Sequence, residues 1–157
     1  MPRAVRRRQF QSEPERVWEY ATNPRNLPRW WPRTASVRAL SGTGNQIGSR
    51  WTQCLAAKSG NKIEANLICT RADAPGTWRF EQRPEDTPFE KMLKEAWTEL
   101  RIAAGPNGTS VELELGQKLQ GMARLGALFV RSASAKTAQE ALGNLAAALD
   151  EPGEGLD

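Results

Sequence analysis

Residues 109–119 have the sequence TSVELELGQKL, in which apolar and polar side chains alternate. On an extended chain the apolar side chains of the alternating part fall on one face, and these are Val111, Leu113 and Leu115. Glu112 and Glu114 fall on the opposite face. The alternation predicts a strand with one face on a core and the other in water, which is typical of an antiparallel sheet covered on one side.

Six more segments have the features of strands, and turn sequences separate most of them. They span residues 3–11, 35–40, 47–57, 62–71, 77–82 and 91–103. From the second strand onward the connections are short, as in the GPNG turn at 105–108, and leave no room for a crossover helix. We therefore predict an α+β protein with a seven-stranded antiparallel sheet.

Two short helices are expected between the first and second strands. The sequence SEPE at 12–15 has the form of a capping box with a proline in the first turn, which predicts a helix start. The Asn23-Pro24 pair would end that helix. A second short helix is predicted over 25–31, before Pro32.

One long helix is predicted at the C-terminal end of the chain. Over residues 122–150 apolar side chains recur at three- and four-residue steps, so this helix should lie across the covered face of the sheet. We accordingly expect a single domain over 1–150, followed by a flexible tail at 151–157.

The absence of histidine from the 157 residues restricts the possible chemistry. It removes the usual general base, the commonest zinc ligand and every Ser-His or Cys-His nucleophile pair. We therefore expect no metal and no cofactor, and we assign no catalytic residue. Cys54 and Cys69 are expected to be small buried thiols rather than a disulfide.

The net charge of +4 comes from 22 lysines and arginines against 18 acidic residues. Most of the basic residues are scattered, and the tight run from Arg6 to Arg8 interrupts the first predicted strand. This distribution favours a solvated basic strand over a nucleic-acid site. Since no apolar run approaches the roughly 20 residues that cross a bilayer, and no signal peptide is evident, we expect a cytoplasmic protein without a transmembrane segment.

Several local motifs occur in a characteristic order along nearly the whole chain. They are PERVW at 14–18, NP at 23–24, LPRWWP at 27–32, IG at 47–48, GT at 108–109, a glycine and LG between 121 and 126, and ALGNL at 141–145. Together with the order of elements, they resemble the polyketide cyclase/dehydrase branch of the START-related (SRPBCC) superfamily. The resemblance implies a helix-grip fold, in which a curved sheet wraps around the C-terminal helix and leaves a cavity between them.

Members of this superfamily bind lipids, sterols, quinones, polyketides or plant hormones, and a minority are cyclases or hydrolases. The resemblance thus implies that the chain binds or carries a hydrophobic small molecule, such as a lipid, a quinone or a polyketide-like compound. One alternative is a cyclase or dehydratase that uses Thr98, Lys94 or a tryptophan ring as a donor. Another is a protein-interaction module with an apolar groove, for a partner protein or for a second copy in a homodimer.

Strand parity and the aromatic content suggest which side chains line the cavity, because large rings suit an apolar wall. From the short helices and the sheet we expect Trp31, Trp51, Trp78, Phe80, Met92, Thr98 and Leu100. From the long helix we expect Leu125, Leu128 and Phe129. The opposite face of the sixth strand carries Trp97 and Arg101 among glutamates and should form a solvated charge ladder rather than a catalytic site.

Overall fold

The computed structural model describes residues 3–57, 59–85, 87, 89–121 and 126–151, with only the backbone described at 127–129. The strands are β1 Arg3–Phe10, β2 Thr34–Ser41, β3 Arg50–Ala56, β4 Lys62–Asp73, β5 Thr77–Arg83, β6 Leu93–Gly105 and β7 Gly108–Leu119. The helices are α1 Pro14–Ala21, α2 Leu27–Trp30 and α3 Ala127–Ala148, and a short 3-10 turn over Pro24–Asn26 precedes α2.

All seven strands belong to one sheet with the order β1-β7-β6-β5-β4-β3-β2, and each neighbouring pair is antiparallel. The first strand pairs with the last, while β2 to β7 form a meander. Register shifts occur in three of the pairs. Such bulges bend a strand and increase its twist. The predicted architecture, including the two short helices between β1 and β2, is confirmed.

The start of α1 differs from the predicted capping box. Glu13 is the N-cap residue and its side chain makes no capping hydrogen bond. The backbone amides of Gln11 and Ser12 instead donate to the carboxylate of Glu151, at 3.0 and 2.7 Å. The Ser12 hydroxyl accepts a hydrogen bond from Arg16. The Glu151 carboxylate, distant in sequence, thus takes the role that the local motif predicted for Glu15. The rest of the expected tail, 152–157, lies outside the described residues.

Helix α3 has two halves with different roles. The helix packs on β1 and β7 and against α2. The first turn predicted for it, 122–125, lies outside the described residues. In its C-terminal half the buried residues are Ala138, Ala141, Leu142, Leu145, Ala146 and Leu149. They fill the core together with residues such as Phe10 and Leu113. This half packs the helix onto the sheet.

The outer face of the sheet carries the predicted charge ladder. Arg101 donates to three glutamates, Glu99, Glu112 at 2.7 Å and Glu114 at 3.0 Å. Arg7 also donates to Glu112, at 2.6 Å. Every carboxylate of this group therefore has an arginine partner, which leaves none of the three free to act as a general base.

The pKa values of this network predict a loss of stability in acid. Hydrogen bonds from Arg7 and Arg101 lower the pKa of Glu112. Burial raises the pKa of Glu114, but hydrogen bonds from Trp97 and Arg101 outweigh it and the net pKa is lowered. Because these folded-state values lie below the unfolded value of 4.5, their stabilisation is complete above that pH and is lost as the pH falls through the folded-state values.

We expect the urea midpoint of unfolding to be nearly constant from about pH 7 to pH 5 and to fall steeply below about pH 4.5. A Glu114→Gln variant should be less stable at neutral pH and show a shallower fall. Glu64→Gln is the matched control, since the Arg38–Glu64 pair is more than half exposed on both sides and such pairs contribute little. If the two variants changed the urea midpoint and its pH dependence equally, the acid sensitivity would not come from the Glu114 interactions.

Candidate ligand-binding site

A cavity of about 320 Å³ lies between the sheet and the N-terminal half of α3. Its wall on the sheet side comes from β3 to β7, and its wall on the helix side comes from Val130, Ala133, Ser134 and Thr137. Trp31, which follows α2, and Phe89, in the connection between β5 and β6, complete the lining. The volume falls within the range of small-molecule sites in proteins.

Several of the residues that face the cavity are small. Where α3 faces the cavity its side chains are small, as at Ala133, Ser134 and Thr137. The sheet contributes two more alanines, Ala65 and Ala96. Further along α3, Leu142 and Leu145 are buried together with Ala138 and Ala141. Small residues on both facing surfaces thus contribute to the open space.

The apolar part of the wall rests on a cluster of aromatic rings. Phe80 contacts three tryptophans, with ring centroids 4.8 Å from Trp78, 5.3 Å from Trp51 and 6.1 Å from Trp31. Trp51 and Trp78 stack on each other at 5.9 Å. Of these rings, Phe80 and Trp31 border the cavity. The two stacked tryptophans lie behind them and hold Phe80 in place.

The polar part of the wall consists of uncharged groups. The polar lining residues are Gln53, Gln82, Thr98, Gln117, Ser134 and Thr137. No Asp, Glu, Lys or Arg of the described residues borders the cavity. A cavity of this composition favours a mainly apolar ligand that carries a few uncharged polar atoms.

The predicted site residues fall into three groups. Trp31, Phe80 and Thr98 line the cavity. Trp51, Trp78 and Leu100 lie on the predicted face of the sheet. They are at most 2% exposed, however, and belong to the core behind the wall. Alternation predicts which face a side chain occupies, but not whether α3 or empty space covers it, and this explains the second group.

The remaining predicted residues lie elsewhere or cannot be placed. Met92 is 47% exposed, because β6 begins only at Leu93 and Met92 lies in the preceding turn. Leu125 lies outside the described residues, as do the side chains of Leu128 and Phe129. Lys94, the proposed donor of the enzyme alternative, is exposed at a register shift of β6 and does not reach the cavity.

Sequence reasoning missed the small and amide-bearing residues of the wall. Ala96, Gln53, Gln82 and Gln117 line the cavity, but none of them is large or aromatic. For Gln82, the alternation of side chains along β5 could have indicated its place in the wall. Gln82 is two residues beyond Phe80 on the same face, where an amide is unusual among core residues.

The two cysteines are free and lie on opposite faces of the sheet. Cys54 pairs in register with Glu64, whereas Cys69 pairs with Phe80 and is buried. Burial raises the pKa of the Cys69 thiol, so it is protonated at neutral pH. A raised pKa disfavours the reactive thiolate, and Cys69 is accordingly a packing residue.

No group of three or more Cys, Asp and Glu side chains among the described residues is arranged to hold a metal ion. Within the same part of the chain, no helix is long and apolar enough to cross a membrane.

Comparison with known families gives a match over residues 1–150 to the family described as polyketide cyclase/dehydrase and lipid transport. The match covers every strand and helix described above. A comparison with curated proteins found no match.

Several solved structures share the fold. The di-domain ARO/CYC protein StfQ from the steffimycin biosynthetic pathway is 10% identical with a TM-score of 0.76, and the match covers 93% of this chain and 49% of StfQ. For the di-domain ARO/CYC protein BexL from the BE-7585A pathway, the identity is 16%, the TM-score 0.73 and the coverage 91% and 48%. The chain thus spans about half of each di-domain protein.

A third structure, the protein TTHA0849 from Thermus thermophilus, matches along most of its own length. It is 18% identical with a TM-score of 0.71, and the match covers 92% of this chain and 94% of that one. At these identities the structural likeness establishes the fold and leaves the ligand open.

Proposed function

Because the chain belongs to the polyketide cyclase/dehydrase and lipid transport family, we propose that it binds and carries a hydrophobic small molecule in the cavity under α3. The observation that supports this most strongly is the cavity of about 320 Å³ with Phe80 and Trp31 in its wall. A lipid, a quinone or a polyketide-like compound has the matching apolar character.

Burial of apolar area supplies enough free energy for such binding. At about 25 cal/mol per Å², each 100 Å² of ligand area removed from water contributes about 2.5 kcal/mol. Several hundred Å² would therefore exceed the costs of association and ordering and support micromolar affinity. Binding of this kind requires no reactive group, in keeping with a wall whose described residues are uncharged.

A second candidate function is cyclisation or dehydration of a polyketide-like chain held in the same cavity. It is supported by the Thr98 hydroxyl in the wall and by the two di-domain ARO/CYC proteins among the structural neighbours. Carriage remains the stronger proposal, because no described lining residue is acidic or basic and general acid–base catalysis relies on such groups. A changed product mass after incubation with a polyketide-like substrate would favour the enzyme.

The interaction-module alternative has less support. Among the described residues, the exposed large apolar side chains are Ile47 and Met92, in separate turns. Single exposed apolar residues are ordinary on protein surfaces, whereas docking sites are contiguous patches. Homodimerisation remains a prediction. A measurement of the molecular mass in solution would test it.

A cavity-filling variant tests the carrier proposal. Ala96 lies on β6 in the wall, so in Ala96→Phe the new ring should fill the space that a ligand needs. We expect fluorescence titration with the neutral dye N-phenylnaphthylamine to show saturable binding by the wild type and at least about tenfold weaker binding by the variant, since a ring blocks area worth more than about 1.4 kcal/mol.

Ala103→Phe is the matched control, because Ala103 is an exposed residue of the same strand. It adds the same ring to solvent and should bind the dye like the wild type. If Ala96→Phe folded and bound the dye as tightly as Ala103→Phe, the cavity would not be the binding site.

A further inference from the structure

Acidic residues are absent from one long segment of the chain. Between Glu19 and Glu64 the sequence contains no Asp or Glu, although about five would occur there at the average composition of the chain. The same segment, residues 20–63, holds seven of the 22 basic residues. It therefore carries a charge of +7, while the rest of the chain, with 15 basic and 18 acidic residues, carries −3. The positive net charge thus comes from one part of the molecule.

In the fold this segment forms one side of the molecule. It comprises the short 3-10 turn, α2, β2 and β3. Helix α2 packs against β2, and β2 is the edge strand opposite β1 in the order of the sheet. The glutamates of the charge ladder lie on β6 and β7, toward the other edge. The basic residues of the segment are thus separated from most of the carboxylates that could neutralise them.

Four arginines of this side are exposed, and they are Arg25, Arg29, Arg33 and Arg50. Their guanidinium groups make no hydrogen bond or ion pair within the part of the chain that the structure describes. Arg38 differs from them, since it donates to Glu64. Like charges on one surface repel each other and attract counter-ions. The surface therefore favours an anionic partner.

The β2–β3 loop adds an exposed apolar residue at one end of this surface. Ile47 is 72% exposed, although the loop that carries it is packed. A Cβ atom built at Gly44 would lie 2.1 Å from the ring of Pro24, which shows how closely the loop approaches the 3-10 turn. Arg25 follows Pro24 in sequence, and Arg50 begins β3 directly after the loop. Ile47 thus lies at the same end of the molecule as two of the unpaired arginines.

An anionic membrane surface fits this combination better than other polyanions do. Lipid headgroups supply negative charge, and the acyl boundary beneath them takes up an apolar side chain such as Ile47. The phosphates of a nucleic acid offer the charge without an apolar layer. Because a single exposed isoleucine is ordinary on a protein surface, the unpaired arginines carry the argument for an anionic partner. Ile47 decides between the possible partners.

We infer that this side of the protein docks on an anionic membrane surface, with Arg25, Arg29 and Arg50 against the headgroups and Ile47 in the interface. The inference goes beyond the proposed function, because these four residues lie outside the cavity wall. Each arginine near an anionic surface contributes about fivefold to membrane affinity. Three arginines and one apolar side chain therefore support reversible docking rather than permanent anchoring.

Sedimentation with lipid vesicles tests the inference. One preparation contains phosphatidylcholine alone, and the other contains about 30% phosphatidylglycerol, which is anionic. We expect the wild type to bind the anionic vesicles at least about tenfold more tightly than the neutral ones. This preference should disappear in about 1 M salt, where the Debye length is about 3 Å.

Variants with equal changes of net charge locate the docking surface. Arg25→Gln combined with Arg50→Gln should weaken binding to the anionic vesicles at least about tenfold. Arg3→Gln combined with Arg6→Gln is the matched control, because both residues are exposed on β1 at the opposite edge of the sheet. Since lipid attraction falls off within a Debye length, the control should bind within about threefold of the wild type. Ile47→Ser should weaken binding at least about fivefold through lost apolar burial.

Three results would overturn the inference, namely equal binding of the wild type to both kinds of vesicle, equal losses in the two double variants, and unchanged binding of Ile47→Ser. Binding to polyglutamate or to a DNA duplex, without binding to either vesicle, would assign the surface to another polyanion and would also overturn it. N-phenylnaphthylamine binding by the same proteins tests the proposed function separately. If the wild type bound the vesicles as expected but not the dye, the carrier proposal would fail and the docking surface would stand.

Discussion

Replacing Trp78 with alanine should lower the stability of the protein more than any other substitution on the wall or behind it. Trp78 is fully buried, stacks on Trp51 at 5.9 Å and lies 4.8 Å from Phe80. Its Nε1 also donates to the Gly44 carbonyl at 3.0 Å, which ties the β2–β3 loop to the sheet. Truncation of a buried aromatic residue to alanine costs roughly 3–5 kcal/mol.

The measurement is the free energy of unfolding by urea, and Trp78→Phe provides a variant that should still fold. Phenylalanine keeps much of the packing and removes the hydrogen bond to Gly44, so its cost should be smaller than that of alanine. Trp31→Ala is the matched control, since Trp31 is only partly buried at the cavity. If Trp31→Ala destabilised the protein as much as Trp78→Ala, the division between core and wall would be wrong.

The second large effect is expected at Gly116, on the outer face of β7. A Cβ atom built there would lie 2.0, 2.1 and 2.5 Å from three ring atoms of Trp97, which is its register partner on β6. The ring cannot shift freely, because its Nε1 donates to Glu114 at 3.0 Å and Arg79 lies over it at 5.2 Å. We expect Gly116→Ala to cost about 1–3 kcal/mol, typical of overpacking.

A double-mutant cycle isolates the cause of that cost. In a Trp97→Ala background the clash is absent, so Gly116→Ala should be close to neutral or slightly stabilising, since alanine loses less entropy on folding than glycine. The coupling energy between the two sites should then be at least about 1 kcal/mol. Additive free energies of unfolding would show that the ring does not restrict position 116.

The sequence predicted the fold well because the signals for it are local. Alternation in 109–119 places Val111 on the inner face and Glu112 on the outer face, and the short turns permit only antiparallel neighbours. The start of α1 could not be predicted in detail, because Gln11 and Ser12 are bonded by Glu151, 140 and 139 residues away. A local motif contains no information about such a partner.

The candidate site was predicted less completely, for a physical reason. A cavity is space that side chains leave unfilled, and small residues such as Ala96 and Ser134 produce no strong hydrophobic pattern in the sequence. Two large residues predicted for the wall, Trp51 and Trp78, stack on each other and belong to the core. Strand parity identified the right face at Phe80 and Thr98, whereas the depth of each side chain depends on where α3 lies.

If the space between the sheet and α3 holds an apolar small molecule, a crystal structure of the protein with N-phenylnaphthylamine should locate the dye there. We expect density for the dye between Phe80 on β5 and Ser134 on α3, with no charged group of the described residues in contact with it. Dye bound only elsewhere on the protein, with this cavity filled by side chains, would contradict this expectation.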